Sequence, residues 1–130
     1  TLRWQFKSAG AWAKTSKHGI GVHWRGDSEI LLLYVKGQPM PLAQDVSNLH
    51  VSERTSHSEK PLEWIEQMLR GFCGPGGQVI DLWAGLAPAA RASLRVGCRY
   101  IGSELDEMRC KEARLLLAAD VQNANEQNAA

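Results

Sequence analysis

The chain has 130 residues, of which 44% are hydrophobic and 22% charged, and its formal net charge is +1. This length is sufficient for one globular domain with a core, and the balanced charge excludes a bulk attraction to nucleic acid or membrane, so that any basic surface must be local. No segment resembles a signal peptide or an apolar span of about 18 residues. We therefore expect a cytoplasmic protein that does not enter a membrane.

The first half of the chain is dominated by extended segments. The stretch "LRWQFKSAGAWAKT" predicts one or two strands, and "SKHGIGVHWRGDS" predicts a glycine-punctuated polar loop after them. The run "EILLLYVKG" is almost continuously apolar, which is typical of a strand buried on both faces. Residues 38–59 predict a mostly irregular connector with a weak strand signal in "DVSNLHV".

The second half alternates helices and strands. In "KPLEWIEQMLRGF", Pro61 suits the first turn of a helix and Gly71 its end. A strand "QVIDLW", an alanine-rich helix "APAARASLRV" and a strand "RYIGSEL" follow, and Asp106 is expected to cap a last helix. That helix would turn three apolar residues inward: Met108, Leu115 and Leu116.

This order implies a parallel sheet covered by helices, because consecutive parallel strands need a helical crossover. We predict an α/β, Rossmann-like fold. We expect residues 1–122 to form part of a single domain. A polar, frayed tail is expected over residues 123–130.

Two strand ends carry the polar residues of a candidate ligand site. Asp81 ends one predicted strand, Gly85 lies in the turn after it, and Glu104 ends the next strand. A glycine lets a ligand approach the backbone closely, and a carboxylate about 20 residues further on can accept hydrogen bonds from ribose hydroxyls. This pattern favours an adenosine-containing ligand. The alternative is that both carboxylates only cap helices.

A dinucleotide fits this turn poorly. The turn "DLWAGLAPAA" has Gly85 but Ala87 and Pro88 beyond it, so the glycine-rich cradle that binds a pyrophosphate is missing. An adenosyl cofactor without phosphates needs less of that cradle. S-adenosylmethionine is therefore the preferred candidate.

Several linked motifs resemble those of a known enzyme family. The segments "SHSEKPLEWIEQMLRGFCGPGGQVIDLWAG" and "GCRYIGSELDEMRCKEA" resemble the cofactor motifs of the amino-methyltransferases that modify adenine N6 in DNA or RNA. The upstream segment "WAKTSKHGIGVHWRGDSEILLLYVKGQP" is similar to the adenine-specific branch, and the motif order is the permuted one. The resemblance covers about residues 12–113. It implies a Rossmann-like methyltransferase fold that uses S-adenosylmethionine.

The resemblance also implies roles for individual residues. Lys60 would face the carboxylate of the cofactor's methionine part, with Ser58 in the same turn, and Glu104 would hold the ribose beside Ser103. The methionine end of the cofactor would be lined by Asp81, Leu82 and Trp83, and Gly85 would allow its close approach. The alternatives are a solvated Lys60, a core Trp83 and a capping Ser58.

The family's catalytic motif, Asp-Pro-Pro followed by an aromatic residue, does not occur in the 130 residues. In the permuted order it belongs upstream of Thr1, together with the strand that carries it. We therefore assign no catalytic residue and expect this chain alone to be inactive.

The loop "KTSKHGIGVHWRGDSE" is the candidate contact to adenine-containing DNA or RNA. Lys14, Lys17 and Arg25 could reach phosphates while Trp24 stacks on a base. The alternative is a solvated loop whose arginine pairs with Asp27 or Glu29. No metal site is expected, because the loop histidines lack further ligands at suitable spacing.

Two functions remain open after these observations. The first is the cofactor-binding part of an adenine-N6 methyltransferase, and the second is a non-catalytic subunit of the same fold that binds nucleic acid or acts as a scaffold. Loss of the strand next to Asp81 would leave an open sheet edge, through which a homodimer could form.

Overall fold

The computed structural model of the chain describes residues 3–16, 19–54 and 59–128. Two predicted site residues, Lys17 and Ser58, lie outside these ranges. The elements follow in the order β1 (Trp4–Lys14), β2 (Ser28–Lys36), β3 (Leu49–Ser52), α1 (Leu62–Phe72), β4 (Gln78–Asp81), α2 (Pro88–Val96), β5 (Arg99–Gly102) and α3 (Glu107–Asn128). The predicted α/β architecture is confirmed, and the weak strand signal near residue 50 corresponds to β3.

The N-terminal half forms a three-stranded sheet in the order β2–β1–β3. β1 is antiparallel to β2 and parallel to β3. One face of this sheet packs on α1: Trp12 is 1% exposed, and His50 stacks on Trp64 with 5.9 Å between ring centroids. A Cβ at Gly10 would lie 2.9 Å from the backbone oxygen of Asn48, so only glycine allows this approach of the connector to β1.

The prediction that β2 is buried on both faces is wrong for the described residues. Its side chains alternate between exposed and half-buried along the whole strand. Leu31 and Leu33 face α1 in a cavity that Trp64 also lines, whereas Leu32 is 55% exposed. β2 has apolar residues on both of its faces. In the described part of the chain, however, a helix covers only one of these faces.

The C-terminal half forms a two-stranded parallel sheet, as predicted. Gln78 pairs with Arg99 and Asp81 with Gly102, and α2 connects the two strands. Buried alanines form the core between this sheet and its helices: Ala84, Ala87, Ala90 and Ala113. α1 and α2 pack against each other and thereby join the two sheets.

The last helix begins as predicted but turns a different face inward. The Asp106 carboxylate accepts the backbone N–H groups of Met108 at 2.8 Å and Arg109 at 3.1 Å, which caps the helix. Met108 and Leu115 are each 72% exposed, contrary to expectation, while Ala113 is buried and Leu116 half-buried.

The physical reason is the close approach of α2, which the small side chain of Ala113 permits and which Arg91 and Asp120 reinforce through their ion pair at 2.7 Å. The helix continues to Asn128, across the predicted start of the tail at residue 123. In the part of the chain that the structure describes, no helix has both the length and the apolarity needed to cross a membrane.

Candidate cofactor site

The turns after β4 and β5 lie side by side at the carboxyl ends of the parallel strands. The Ser103 N–H donates to the backbone oxygen of Asp81 at 2.9 Å, and the Ala84 N–H donates to that of Ser103 at 2.9 Å. Ligands of open α/β sheets bind at this end of the strands. The structure therefore brings six of the predicted cofactor residues into one region: Asp81, Leu82, Trp83, Gly85, Ser103 and Glu104.

Glu104 joins the two turns directly. One of its carboxylate oxygens accepts the Gly85 N–H at 2.7 Å, and the other accepts the Asp106 N–H at 2.9 Å. These backbone hydrogen bonds, that of Asp106 first, hold the pKa of the Glu104 carboxyl below its usual value. Each carboxylate oxygen has a further lone pair, so the anion can still accept hydroxyl groups of a ligand.

The space above Gly85 is open. Its φ is 57°, and a Cβ placed on it would meet no atom within 4 Å. No contact within the described chain therefore demands a small residue here, although the left-handed backbone favours glycine. Trp83 is 84% exposed and Leu82 60% exposed beside this space. Trp83 is thus no core residue, and the turn presents an apolar rim around an accessible backbone.

Asp81 supports the turn through both of its carboxylate oxygens. One accepts the Trp83 N–H at 3.1 Å and the other accepts the Tyr100 hydroxyl at 3.4 Å. Burial, together with the charge of Asp81, raises the pKa of Tyr100 to about 12. A Cβ at Gly102 would collide with the Tyr100 ring, so this glycine makes room for the contact. The sequence did not lead us to predict Tyr100. The one sequence signal is Gly102, whose missing side chain leaves room for the tyrosine ring.

The hydroxyl of Ser103 is engaged within the same region. It donates to the backbone oxygen of Leu82 at 2.9 Å. The side chain thus fixes the turn after β4 in place.

Lys60 belongs to a second cluster, centred on Glu29. Its ammonium lies 2.6 Å from one oxygen of the Glu29 carboxylate, and the Lys14 ammonium lies 2.9 Å from the other. Burial opposes ionisation of Glu29, but the two lysines outweigh it and hold its pKa below the usual value. The Lys60 side chain is 48% exposed and lines a cavity of about 470 Å³ with Trp12.

Arg91 connects the two clusters. Its backbone N–H donates to Ala87 in the turn after β4, and its guanidinium donates to Glu59, next to Lys60, at 2.9 Å. The same side chain lines the cavity beside Lys60. The residue before the Lys-Pro motif is therefore held beside α2, the helix that follows the turn with Gly85.

The candidate nucleic-acid loop is closed by two backbone hydrogen bonds between Gly19 and Gly26, at 3.0 and 3.2 Å. Trp24 is 86% exposed and Arg25 is also exposed. Lys14, in contrast, is 8% exposed and paired with Glu29. Its ammonium lies inside the loop rather than on the loop's outer surface.

Among curated proteins, the chain is similar to "Putative methylase YubD" of Escherichia coli. The two are 33% identical over 106 residues, which make up 78% of this chain and 46% of that protein. The chain thus spans about half the length of the curated relative. No protein-family model matches it.

Solved structures show the fold. The complex of M1.HpyAVI with S-adenosylmethionine superposes with a TM-score of 0.73 at 20% identity, covering 88% of this chain and 62% of that one. The PvuII DNA methyltransferase, which is cytosine-N4-specific, superposes with a TM-score of 0.68 at 17% identity, covering 82% and 49%. The chain therefore has the Rossmann-like α/β fold of these methyltransferases, over roughly half to two thirds of their length.

Proposed function

We propose that the chain is the S-adenosylmethionine-binding part of a DNA methyltransferase that modifies the N6 amino group of adenine. The observation that carries this proposal is the joined pair of turns, in which Glu104 accepts the Gly85 N–H at 2.7 Å beneath an open space. A carboxylate fixed beside an accessible glycine at the carboxyl ends of parallel strands suits an adenosyl group.

Each predicted cofactor residue has a role consistent with its surroundings. Glu104 accepts the ribose hydroxyls, Ser103 orders the turn beside it, and Trp83 and Leu82 cover the methionine part. Asp81, held by Tyr100, keeps the turn open, and Gly85 admits the ligand. S-adenosylmethionine supplies an electrophilic methyl group when bound.

Lys60 is proposed to contact the methionine carboxylate together with Ser58. Its ammonium has three donors, and the pair with Glu29 uses one of them. The half-exposed side chain faces the cavity that reaches Arg91, so a carboxylate there could accept a second hydrogen bond. In this arrangement Glu29 orients Lys60 rather than competing with the ligand.

The preference for adenine rests on the resemblance of the motifs, because the fold also occurs in a cytosine-N4-specific enzyme. The exocyclic amine is a poor nucleophile, so it must be oriented in line with the cofactor's methyl group. The Asp-Pro-Pro-aromatic motif that does this in the family is absent from the sequence. Binding of the cofactor is the task that we assign to this chain.

A non-catalytic subunit of the same fold is the second candidate. The missing catalytic motif and the exposed loop with Trp24 and Arg25 favour it. Cofactor binding separates the two candidates, because a scaffold needs none.

Calorimetry of the chain with S-adenosylmethionine is the test. Replacing Glu104 by alanine should weaken binding about tenfold or more, since a hydrogen bond to a charged group is lost. Glu107→Ala is the matched control, because it removes the same charge three residues away and should leave affinity unchanged. No heat of binding with the unmutated chain would reject the cofactor site and favour the scaffold. If Glu104→Ala binds S-adenosylmethionine as tightly as the unmutated chain does, Glu104 is not part of the cofactor site.

A further inference from the structure

Two of the three cysteines of the chain lie at the ends of neighbouring elements. Cys73 directly follows α1, and Cys98 directly precedes β5. Both side chains are free thiols that are partly exposed, so a small reagent in solution can reach them. Their separation along the chain gives no sign of a pair, because they lack the short spacing of a redox motif.

The backbone brings these two positions together. The Gly76 N–H donates to the backbone oxygen of Gly97 at 2.8 Å, and the Arg99 N–H donates to that of Gly77 at 2.8 Å. The turn after α1, residues 74–77, is thereby fixed on the segment that leads into β5. The two cysteines therefore lie on adjacent segments.

Both sulfur atoms lie against the same turn. The Cys98 thiol donates to the backbone oxygen of Gly74 at 3.0 Å. A Cβ at Gly77 would lie 3.1 Å from that same oxygen and would collide with the Cys73 sulfur. The missing side chain of Gly77 thus leaves space for the Cys73 sulfur on the side of the turn that Cys98 contacts.

The two thiols also act on each other electrostatically. Burial raises the pKa of Cys98, and a side-chain hydrogen bond with Cys73 and the charge of Cys73 raise it further. Cys98 therefore keeps its proton to higher pH. Because the thiolate is the nucleophile in thiol–disulfide exchange, Cys73 is the cysteine that attacks first.

We propose that Cys73 and Cys98 form an oxidisable pair, which a low-molecular-weight disulfide such as oxidised glutathione converts into an intramolecular disulfide. The Cys73 thiolate attacks one sulfur of oxidised glutathione and releases one glutathione thiolate. Cys98 then attacks the Cys73 sulfur of the mixed disulfide, and the second glutathione thiolate leaves. The two glutathione thiolates take up the protons of the two cysteines, which are oxidised while the glutathione disulfide is reduced. The Gly74 oxygen keeps a donor, because it also accepts the Gly77 N–H at 3.1 Å.

The disulfide would close a ring over residues 73–98, which contains β4 and α2. Within the described ranges the sheet of β4 and β5 has only these two strands, and a two-stranded sheet is marginally stable by itself. The new bond lies near the Gln78–Arg99 pair at the amino ends of the strands, whereas the turns with Gly85 and Glu104 lie at the carboxyl ends. Oxidation should therefore stabilise the sheet without blocking the candidate cofactor site, because a disulfide restricts the unfolded chain.

Treatment of the full 130-residue chain with oxidised glutathione, followed by peptide mass spectrometry, is the test. Trypsin should then release residues 71–91 joined to residues 96–99, and a reductant should separate the two peptides. Cys110→Ser is the matched control and should give the same linked peptides, because Cys110 lies on α3. Cys98→Ser should instead retain glutathione on Cys73, since no second thiol is present to displace it. In urea, the unfolding midpoint of the oxidised chain should shift upward relative to that of the reduced chain.

Three outcomes would overturn the proposal. The first is the absence of the linked peptides after oxidation. The second is a disulfide that includes Cys110 or joins two chains. The third is an oxidised chain that unfolds at the same urea concentration as the reduced chain or at a lower one, because the native fold would then not hold the two thiols in a geometry suited to the bond.

Discussion

At the scale of single residues, Asp81 and Tyr100 form the pair that shapes the candidate site. Asp81 accepts hydrogen bonds from the Trp83 N–H and from the Tyr100 hydroxyl. The phenol is half-buried against the alanine core, so its ionisation would place a second negative charge beside Asp81. The site thus depends on a tyrosine that stays neutral.

This arrangement predicts a late titration of Tyr100. Burial and the Asp81 charge raise its pKa to about 12 from the ordinary value of 10.0. Because the folded-state pKa is the higher one, the contribution to stability is complete below pH 10 and is lost as the pH rises through 12. Absorbance titration of tyrosinate should show this step in the parent and in Tyr34→Phe, but not in Tyr100→Phe. Asp81→Asn should lower the pKa of Tyr100. A high step that disappears with Tyr34 instead would contradict the assignment.

The sequence allowed some of these residues to be predicted and not others, for a physical reason. Gly85 and Glu104 lie in the turns that follow adjacent parallel strands, so their positions along the chain already implied proximity. The partner of Lys60 could not be predicted in this way. Glu29 reaches it from a strand of the other sheet, and only packing of the sheet on α1 brings the two together.

At the scale of secondary-structure elements, Arg91 links the segment before α1 to α2 and α3. Its guanidinium donates to Asp120 at 2.7 Å and to Glu59 at 2.9 Å, and its side chain is 17% exposed. Arg95, one turn later, is 45% exposed and pairs with Glu66 at 3.0 Å. Arg95 also lies 3.8 Å from Asp120, but it is the more exposed of the two arginines, so it serves as the comparison for Arg91.

Replacing Arg91 by methionine should lower the free energy of unfolding by about 2–3 kcal/mol, because its ion pairs with two half-buried carboxylates are lost. Arg95→Met should cost less than about 1 kcal/mol, as expected for a solvent-exposed pair. Urea unfolding followed by circular dichroism measures both. Equal losses for the two variants would show that Arg91 does not hold the helices together.

The loop between β1 and β2 can be tested as a DNA contact through its exposed residues. Arg25→Ala should reduce the slope of log affinity against log salt by about 1 unit, because one phosphate contact is lost. Trp24→Ala should weaken binding to single-stranded DNA about tenfold through lost stacking. Arg114→Ala, an exposed arginine on α3, is the control. An unchanged slope for Arg25→Ala would indicate that the loop is solvated and that Arg25 contacts no phosphate.

Predictions of helices and strands were correct where they depend on the local sequence. They were wrong where burial depends on contacts with neighbouring elements. The cap at Asp106 needs only the first turn of α3, and it was predicted. The apolar run in β2 predicted burial on two faces, but a strand is buried only if elements cover it. The inward face of α3 follows Ala113 rather than Leu115, because close contact with α2 favours the smaller residue.

At the scale of the whole molecule, the described residues form two sheets that are joined by helices and not by strand pairing. Within the described ranges, β4 pairs with β5 alone, which leaves its other edge open. Ile80 and Ile101 are 64% and 57% exposed on this small sheet. The homodimer through the open β4 edge stays a prediction.

Methyl transfer is the activity that we do not expect from these 130 residues alone. The chain is predicted to bind S-adenosylmethionine through Glu104 and the Gly85 turn, but the residues that would orient the adenine amine are absent from the sequence. Incubation with cofactor labelled in its methyl group and adenine-containing DNA should therefore give no labelled DNA. Adding a polypeptide that carries an Asp-Pro-Pro-aromatic strand should restore transfer. Labelling by the purified chain alone would require a catalytic group within the described turns, and Asp81 would then be the first residue to replace.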